Sequence, residues 1–483
     1  MWIALSVLLG YFAVLMLISF ISTKKSADNT TFFTANRQSP WYLVAFGMIG
    51  ASLSGVTFIS VPGWVENRAF SYMQMVFGYL AGYAVIAGIL LPLYYRLNLI
   101  SIYGYFESRF GAKAYKTGAI FFLLSRMLGS AFRLYIVALV LQLLVFDPLG
   151  LPFYVAVLST VFLIWLYTFR GGIQTIIYTD TLQTLFMLLA LGFSFYYLHH
   201  FLSPEVGPLE YVMNHDWSQV FFWDSFGTEP RHFIKQFIGG MFITITMTGM
   251  DQDMMQKNLT CKSLADARKN MFWFSILLVP VNLLFLALGI YLYDFANVYG
   301  LDVQGDALFP TVAFSEVVPI WVGIVFLLGL VAAAYSSADS ALTAMTTSFC
   351  VDILKIKNHA DQRSIRIRKA THIGISVSLA VIVILFAYVV SDNVIQEIFT
   401  VATFTYGPLL GLFAFGLFSS RKVPDKFIPF MAVIAPVISY LLYRNGETWF
   451  NYVFSFELLL INGMIMFIGL WIAGYFKIMP SRA

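Results

Sequence analysis

A long apolar run contains the stretch Gly329-Leu-Val-Ala-Ala-Ala-Tyr-Ser-Ser-Ala-Asp-Ser-Ala-Leu342. Ser336, Asp339 and Ser340 are spaced so that a helix places them on one face, with Ser337 beside them. Hydroxyl and carboxylate oxygens are the ligands that small hard cations prefer. Two interpretations are open: the face is a cation site, or it is a helix–helix interface of small residues. The acid favours the first, because a carboxylate at membrane depth marks a functional site.

The composition is that of a membrane protein. Of the 483 residues, 59% are hydrophobic and only 11% are charged, whereas soluble domains carry about 25% charged residues. A helix needs about 20 apolar residues to cross a bilayer, which predicts about thirteen spans. They lie near 2–22, 42–65, 73–96, 118–146, 153–169, 177–198, 233–255, 271–294, 318–353, 369–391, 396–419, 427–443 and 454–476. We therefore expect an all-α, multi-pass protein of the cell (plasma) membrane, and the net charge of +4 indicates no nucleic-acid partner.

The positive charges predict the orientation. Lys24 and Lys25 follow the first span, and most of the 29 Lys and Arg residues fall in inner loops if the N-terminus lies outside. Lys257 is counted among these inner-loop residues. The positive-inside rule therefore predicts an outer N-terminus and, with an odd number of spans, an inner C-terminus.

Two spans contain residues that interrupt helices. The second span carries glycines, hydroxyls and a proline between Gly47 and Gly63, and the seventh ends in a threonine- and glycine-rich segment around Gly249. Discontinuous helices at this depth present free backbone groups to cations and substrates, although a packing kink is the alternative. Asp251, Gln252 and Gln256, near the inner end of the seventh span, are expected to make structural contacts.

Asp180 and Gln183 share one face near the inner end of the sixth span. Asp180 is either a solvated, snorkelling carboxylate or part of an inner ion exit, and the sequence does not choose between them.

Four segments carry a more specific signal. They are Ser52-Leu-Ser-Gly-Val-Thr-Phe58…Pro62, Gly171-Gly-Ile…Tyr178-Thr-Asp180…Gln183, Asp251-Gln252…Gln256-Lys257…Ala267-Arg268 and Ala332-Ala-Ala-Tyr-Ser-Ser-Ala-Asp-Ser340…Asp352. In this order, and with about thirteen spans, the chain resembles the sodium:solute symporter family, which carries proline, sugars, sialic acid, iodide and monocarboxylates. The resemblance runs from the second to the eleventh span.

The resemblance implies a leucine-transporter-type inverted repeat of five plus five spans, the fold that exemplifies midplane sites between broken helices. The expected units are a peripheral first span (1–41), a first repeat (42–199), an outer loop (200–232), a second repeat (233–419) and two peripheral C-terminal spans (420–483).

The resemblance also implies sodium sites. The common site would use backbone oxygens of Gly50, Leu53 and Ala333 with the hydroxyls of Ser336 and Ser337. A second site, present in some members, matches Asp180, Ser336, Asp339 and Ser340. Family members usually carry a hydroxyl residue where this chain has Asp339. An ionised Asp339 would strengthen cation binding, whereas a protonated one would be a neutral hydrogen-bonding group or a coupling proton site.

The substrate residues are implied by position in similar carriers. They are Ser54, Thr57, Gln74, Thr244 and Thr248. Arg126 and Arg133, two helical turns apart, point the same way, and a buried arginine is a natural partner for a carboxylate. We expect Arg126 to select an anionic solute; the alternative is that either arginine pairs with an internal acid such as Asp339.

The expected function is sodium-coupled symport of a sugar, a sugar acid such as sialic acid, or a carboxylate, by alternating access. A proton-coupled or passive carrier and a transport-fold sensor are the alternatives, and the end of the chain at Ala483 leaves no room for a signalling domain. No pair of acid and base in a span supports an enzyme. The oligomeric state cannot be read from lipid-facing surfaces.

Overall fold

The computed structural model describes residues 2–22, 29–203, 205–356, 361–388 and 394–478. Its long helices, with the shorter segments that complete interrupted spans, are α1 (Trp2–Ser22), α2 (Trp41–Ser52), α3 (Gly55–Gly63), α4 (Tyr72–Val85), α5 (Ala112–Leu141), α6 (Phe153–Gly171), α7 (Ile173–Leu202), α8 (Phe233–Thr244), α9 (Gln252–Asn258), α10 (Leu264–Val298), α11 (Ile320–Ser348), α12 (Gln362–Phe386), α13 (Val394–Phe418), α14 (Phe427–Phe450) and α15 (Leu458–Ile478). Lys24 and Lys25, on which the orientation partly rests, lie outside the described residues.

The helices have the length and composition of membrane spans. Within the described ranges, ten are long and apolar enough to cross a bilayer, or eleven if the bent pair α2–α3 is one span. Helix α6 is apolar but shorter over Phe153–Phe169, and α8 continues into a π-helical turn at Ile245–Gly249. The all-α membrane architecture is confirmed, whereas the count of about thirteen spans and the positions of the termini stay predictions.

Helix α11 lies at the centre of the bundle. Every residue from 329 to 348 is buried, and α11 packs against α2, α3, α5 and α7. Its serines and its aspartate therefore face protein rather than lipid, which is the condition under which polar groups are tolerated at membrane depth.

The second span is interrupted where the sequence predicts it. Helices α2 and α3 meet at a bend of 52°, with Leu53 and Ser54 between them. The final N–H of the first segment, that of Leu53, donates to Ile49 O at 2.9 Å, and the ladder resumes only with Phe58 N donating to Ser54 O at 3.2 Å. The last carbonyls of α2 and the first N–H groups of α3 therefore have no partner in their own helices.

The seventh span is interrupted as well. Its π-helical turn ends at Gly249, and Asp251 has an extended backbone that begins α9. The Oδ1 atom of Asp251 caps that helix by accepting from Asp253 N at 2.8 Å and Met254 N at 3.3 Å. Both predicted interruptions are thus present. The first packs against α11, and the second borders the cavity described below.

Candidate functional site

Ser337, a predicted ligand of the common sodium site, lies at the interface between α11 and α2. Ser337 Oγ on α11 donates to the backbone oxygen of Ala51 at 3.4 Å, so this hydroxyl faces the last turn of α2, where Gly50 and Leu53 lie. Ala333 is one turn earlier on α11. A hydroxyl that donates its proton keeps lone pairs for a cation, and a set made only of oxygens suits a small hard ion.

Gly50 allows a close approach between α2 and α7. Its N–H donates to Thr184 Oγ1 at 3.1 Å, and a Cβ atom at Gly50 would lie 3.2 Å from Thr184 Cβ and closer still to the hydroxyl. The interrupted helix is therefore held against α7 at the level of the predicted sodium ligands.

Asp180 is buried in an ion pair. Its Oδ1 accepts from Ser336 Oγ at 2.7 Å, and its Oδ2 lies 2.7 Å from Lys257 Nζ, with side chains only 1% and 2% exposed. This excludes the solvated alternative for Asp180 and corrects the placement of Lys257, which is not an inner-loop residue. A charge count along the chain cannot detect that α9 packs against α7 and α11 and so buries Lys257.

Asp339 faces a different neighbour. Its Oδ2 accepts from Tyr167 Oη on α6 at 2.7 Å, whereas its Oδ1 has no hydrogen-bond partner in the described part of the chain. Ser340 donates to its own helix, at the oxygen of Ser336, at 2.8 Å. The structure thus brings Asp180, Ser336 and Asp339 into one buried cluster, and Lys257 joins them.

A cavity opens beside the break between α2 and α3. Five of the predicted substrate residues line it, namely Ser54, Thr57, Arg126, Thr244 and Thr248. Sequence reasoning missed other wall residues, which include Tyr72, Tyr79, Tyr83, Asn282 and Phe399. The aromatic residues carry no signal beyond that of an apolar span, whereas the amide of Asn282 inside the apolar run of α10 is a signal that was available.

Gln74 lies away from this cavity wall. Its Nε2 donates to Arg231 O at 2.8 Å and its Oε1 accepts from Phe222 N at 3.2 Å. Both partners belong to the backbone of the outer loop, so the structure uses this amide to fasten the loop to α4.

Arg126 is paired inside the protein. Its guanidinium forms an ion pair with Asp253 and lies 3.9 Å from Asp251 Oδ2, and all three side chains are at most 5% exposed. An arginine does pair with an internal acid, but the acid is Asp253 rather than Asp339. The carboxylates near the inner end of the seventh span are therefore buried charge partners and not only contacts between helix and loop.

Arg133 differs from Arg126. It lines the same cavity and is half-buried, and the hydrogen bond recorded for its guanidinium is a long one, 3.4 Å, to Gly129 O. Among the described residues, no carboxylate forms an ion pair with it. Arg133 thus lines the cavity with no ion-pair partner among the described residues.

Comparison with known proteins shows which family and which relatives this chain is similar to. The model of the sodium:solute symporter family matches residues 32–424. A sodium/sialic acid symporter of Aliivibrio fischeri is 24% identical over 97% of this chain and 92% of its own length. A sodium/sialic acid symporter of Proteus mirabilis is 24% identical over 92% and 89%. The human sodium/iodide cotransporter is 26% identical over 85% of this chain and 65% of its own length.

Solved structures share the fold. A Na⁺-coupled sialic acid symporter in a substrate-bound outward-open state superposes with a TM-score of 0.82 over 98% of both chains at 19% identity. Mhp1, a nucleobase-cation-symport-1 family transporter, superposes with a TM-score of 0.54 at 15% identity over 95% of this chain and 98% of its own. Because the family match covers most of the described helices, this multi-pass membrane chain belongs to the sodium:solute symporter family, a family of transporters.

Proposed function

We propose that this protein imports a carboxylate-bearing sugar of the sialic acid class together with sodium. The observation that carries the proposal is Arg133, a guanidinium in a hydroxyl-lined cavity with no carboxylate partner among the described residues. The similarity to two sodium/sialic acid symporters over nearly the whole chain supports the same class of solute.

The cavity offers both kinds of contact that a sugar acid needs. The planar guanidinium of Arg133 binds a carboxylate through two parallel hydrogen bonds. The sugar hydroxyls bond to the side chains of Ser54, Thr57, Thr244 and Thr248. Arg126 does not compete for the carboxylate, because Asp253 already neutralises it.

Sodium would be held by the backbone oxygens of Gly50, Leu53 and Ala333 and by the hydroxyls of Ser336 and Ser337. This donor set fixes the last turn of α2 against α11. Ser54 and Thr57, which begin α3, lie directly after that turn and line the cavity. Sodium therefore orders one wall of the substrate site. Because the ion binds more tightly to the arrangement in which this wall is formed, sodium binding favours substrate binding, as coupling requires.

We propose that the chain works by alternating access between two inverted repeats, 42–199 and 233–419. Each range opens with an interrupted helix, α2–α3 and α8–α9, as a pair of inverted halves would. The remaining ranges, 1–41, 200–232 and 420–483, would be peripheral or connecting.

The test is uptake of radiolabelled N-acetylneuraminate by proteoliposomes with an inward sodium gradient. Arg133→Gln should lower uptake by about two orders of magnitude, because the loss of one charged bidentate contact is worth about 3 kcal/mol. N-acetylmannosamine, which lacks the carboxylate, serves as the matched competitor: the wild type should discriminate against it and Arg133→Gln should not. Undiminished uptake by Arg133→Gln would contradict the proposal.

The same assay separates the alternatives. We expect no concentrative uptake when sodium is replaced by choline, at either neutral or acidic outer pH. Uptake in choline driven by outer acid would favour a proton-coupled carrier, with Asp339 as the group to test.

A further inference from the structure

Lys257 is placed where few lysines are found. Its side chain is 2% exposed, and its Nζ lies 2.7 Å from Asp180 Oδ2. A buried ammonium is retained only where a fixed negative charge compensates it. Here that charge belongs to the residue that resemblance assigns to a second sodium site.

The surrounding atoms leave little for a second sodium ion to bind. Asp180 uses Oδ1 to accept from Ser336 Oγ at 2.7 Å and Oδ2 for the ammonium. Ser340 Oγ has two acceptors, Ser336 O on its own helix at 2.8 Å and Asp253 Oδ2 at 3.4 Å. A monovalent cation added at Asp180 would lie beside a positive charge that is already in contact with Oδ2, and the two like charges would repel each other at low dielectric.

Asp339 belongs to the same electrostatic cluster. It is fully buried, it lies three residues after Ser336, which bonds to Asp180, and its Oδ1 has no hydrogen-bond partner within the part of the chain that the structure describes. Asp339 thus adds a second buried carboxylate to the cluster that holds the ammonium. If the ammonium were absent, Asp180 Oδ2 and Asp339 Oδ1 would both be left without a partner near the Ser336 hydroxyl, a donor set that a hard cation fills.

We propose that the Lys257 ammonium is a tethered cation that takes the place of a second sodium ion, so that this transporter moves one sodium ion per substrate. The inference rests on the proposed function for its substrate, but not for its ion count. A tethered charge does not cross the membrane, so a substrate with one negative charge and one sodium ion would cross together without net charge. The removal of the lysine charge should create a second sodium site between Asp180 and Asp339.

The first test is the steady-state accumulation of N-acetylneuraminate in proteoliposomes at a fixed sodium gradient, with the membrane potential set by potassium and valinomycin. The wild type should accumulate to a level independent of potential. Lys257→Met, which moves two sodium ions per anion, should gain about tenfold for each 60 mV or so of inside-negative potential. Wild-type accumulation that rises with inside-negative potential would overturn the proposal.

The second test needs no substrate and therefore separates this inference from the proposed function. The unfolding temperature of the purified protein is followed against sodium concentration, with potassium keeping the ionic strength constant. Because each bound ion stabilises by mass action, the wild type should follow a one-ion dependence and Lys257→Met a two-ion dependence, with the Hill coefficient rising from about 1 to about 2. Equal ion dependence in the two proteins would refute the tethered cation.

Two control variants test whether the positive charge of Lys257 is what limits binding to one sodium ion. Lys257→Arg keeps the charge and should keep the one-ion dependence. Lys235→Met removes a lysine that is equally buried, at 1% exposure, but bonds to the backbone oxygens of Gly227 at 3.0 Å and Val453 at 2.8 Å near the outer loop. It should lower stability without adding a sodium ion. A second sodium ion in Lys235→Met would show that the effect does not come from the cluster.

Discussion

Ser336 Oγ donates a hydrogen bond of 2.7 Å to Asp180 Oδ1, and this bond joins the two buried sites of the protein. The next residue, Ser337, faces Ala51 at the end of α2. Adjacent hydroxyls on α11 thus contact the interrupted helix on one side and the Asp180–Lys257 pair on the other. The two serines therefore place the proposed sodium site next to the Asp180–Lys257 pair.

The two serines are expected to fail differently when they are replaced. Ser336→Ala and Ser337→Ala should both abolish sodium-dependent uptake at limiting sodium, because each removes a predicted ligand. Only Ser336→Ala should also lower stability clearly, by about 1.5–3 kcal/mol, since it deprives a charged acceptor of a hydrogen bond. Sodium titrations of uptake and thermal unfolding measure the two effects.

Ser439→Ala is the matched control for both serines. Ser439, in helix α14, is fully buried, but its hydroxyl bonds to its own helix at Ala435 O, at 2.8 Å. Its removal should leave sodium dependence unchanged. Full uptake at limiting sodium by Ser336→Ala and Ser337→Ala would remove both residues from the site.

The Arg126–Asp253 pair is expected to be structural. Arg126→Gln or Asp253→Asn alone should destabilise by about 3–5 kcal/mol, because each leaves a buried charge unpaired. The double variant should recover part of that loss, since neither Arg126 nor Asp253 is then left as a lone charge, whereas Asp251 still loses its cationic neighbour. The measurement is a double-mutant cycle on thermal unfolding, and strictly additive losses would show that the two side chains do not pair in the membrane.

Gly50 is expected to be sensitive to a single methyl group. Gly50→Ala should weaken sodium binding and lower the unfolding temperature, because the added Cβ atom would meet Thr184 and push α2 away from α7. Thr184→Ala in the same background should restore part of both losses. Gly88→Ala, whose Cβ atom would have nothing within 4 Å, is the control and should be neutral or stabilising.

Features that depend on local sequence could be predicted. The face of α11 follows from the spacing of three polar residues in an apolar run, and the break at Leu53–Ser54 follows from glycines and hydroxyls clustered at membrane depth. Both are properties of a single segment, so no knowledge of its neighbours was needed.

Features that depend on pairing between distant segments could not be predicted from the sequence. Arg126 and Asp253 are 127 residues apart, and neither segment contains a sequence signal that identifies the other as its partner. Gln74 was expected in the substrate site from its position in similar carriers, yet its amide bonds to backbone groups of the outer loop, which have no sequence signature. Lys257 was counted as an inner-loop charge, because only the packing of α9 shows that Asp180 is its partner.

Equilibrium binding of ²²Na⁺ to the purified protein, with and without Ser337→Ala, tests the central claim most directly. If the hydroxyls of α11 and the free carbonyls of α2 hold the coupling ion, the wild type will bind sodium saturably and the variant will lose that binding while it remains folded. Equal binding by the two proteins, or no saturable binding by the wild type, would contradict the account.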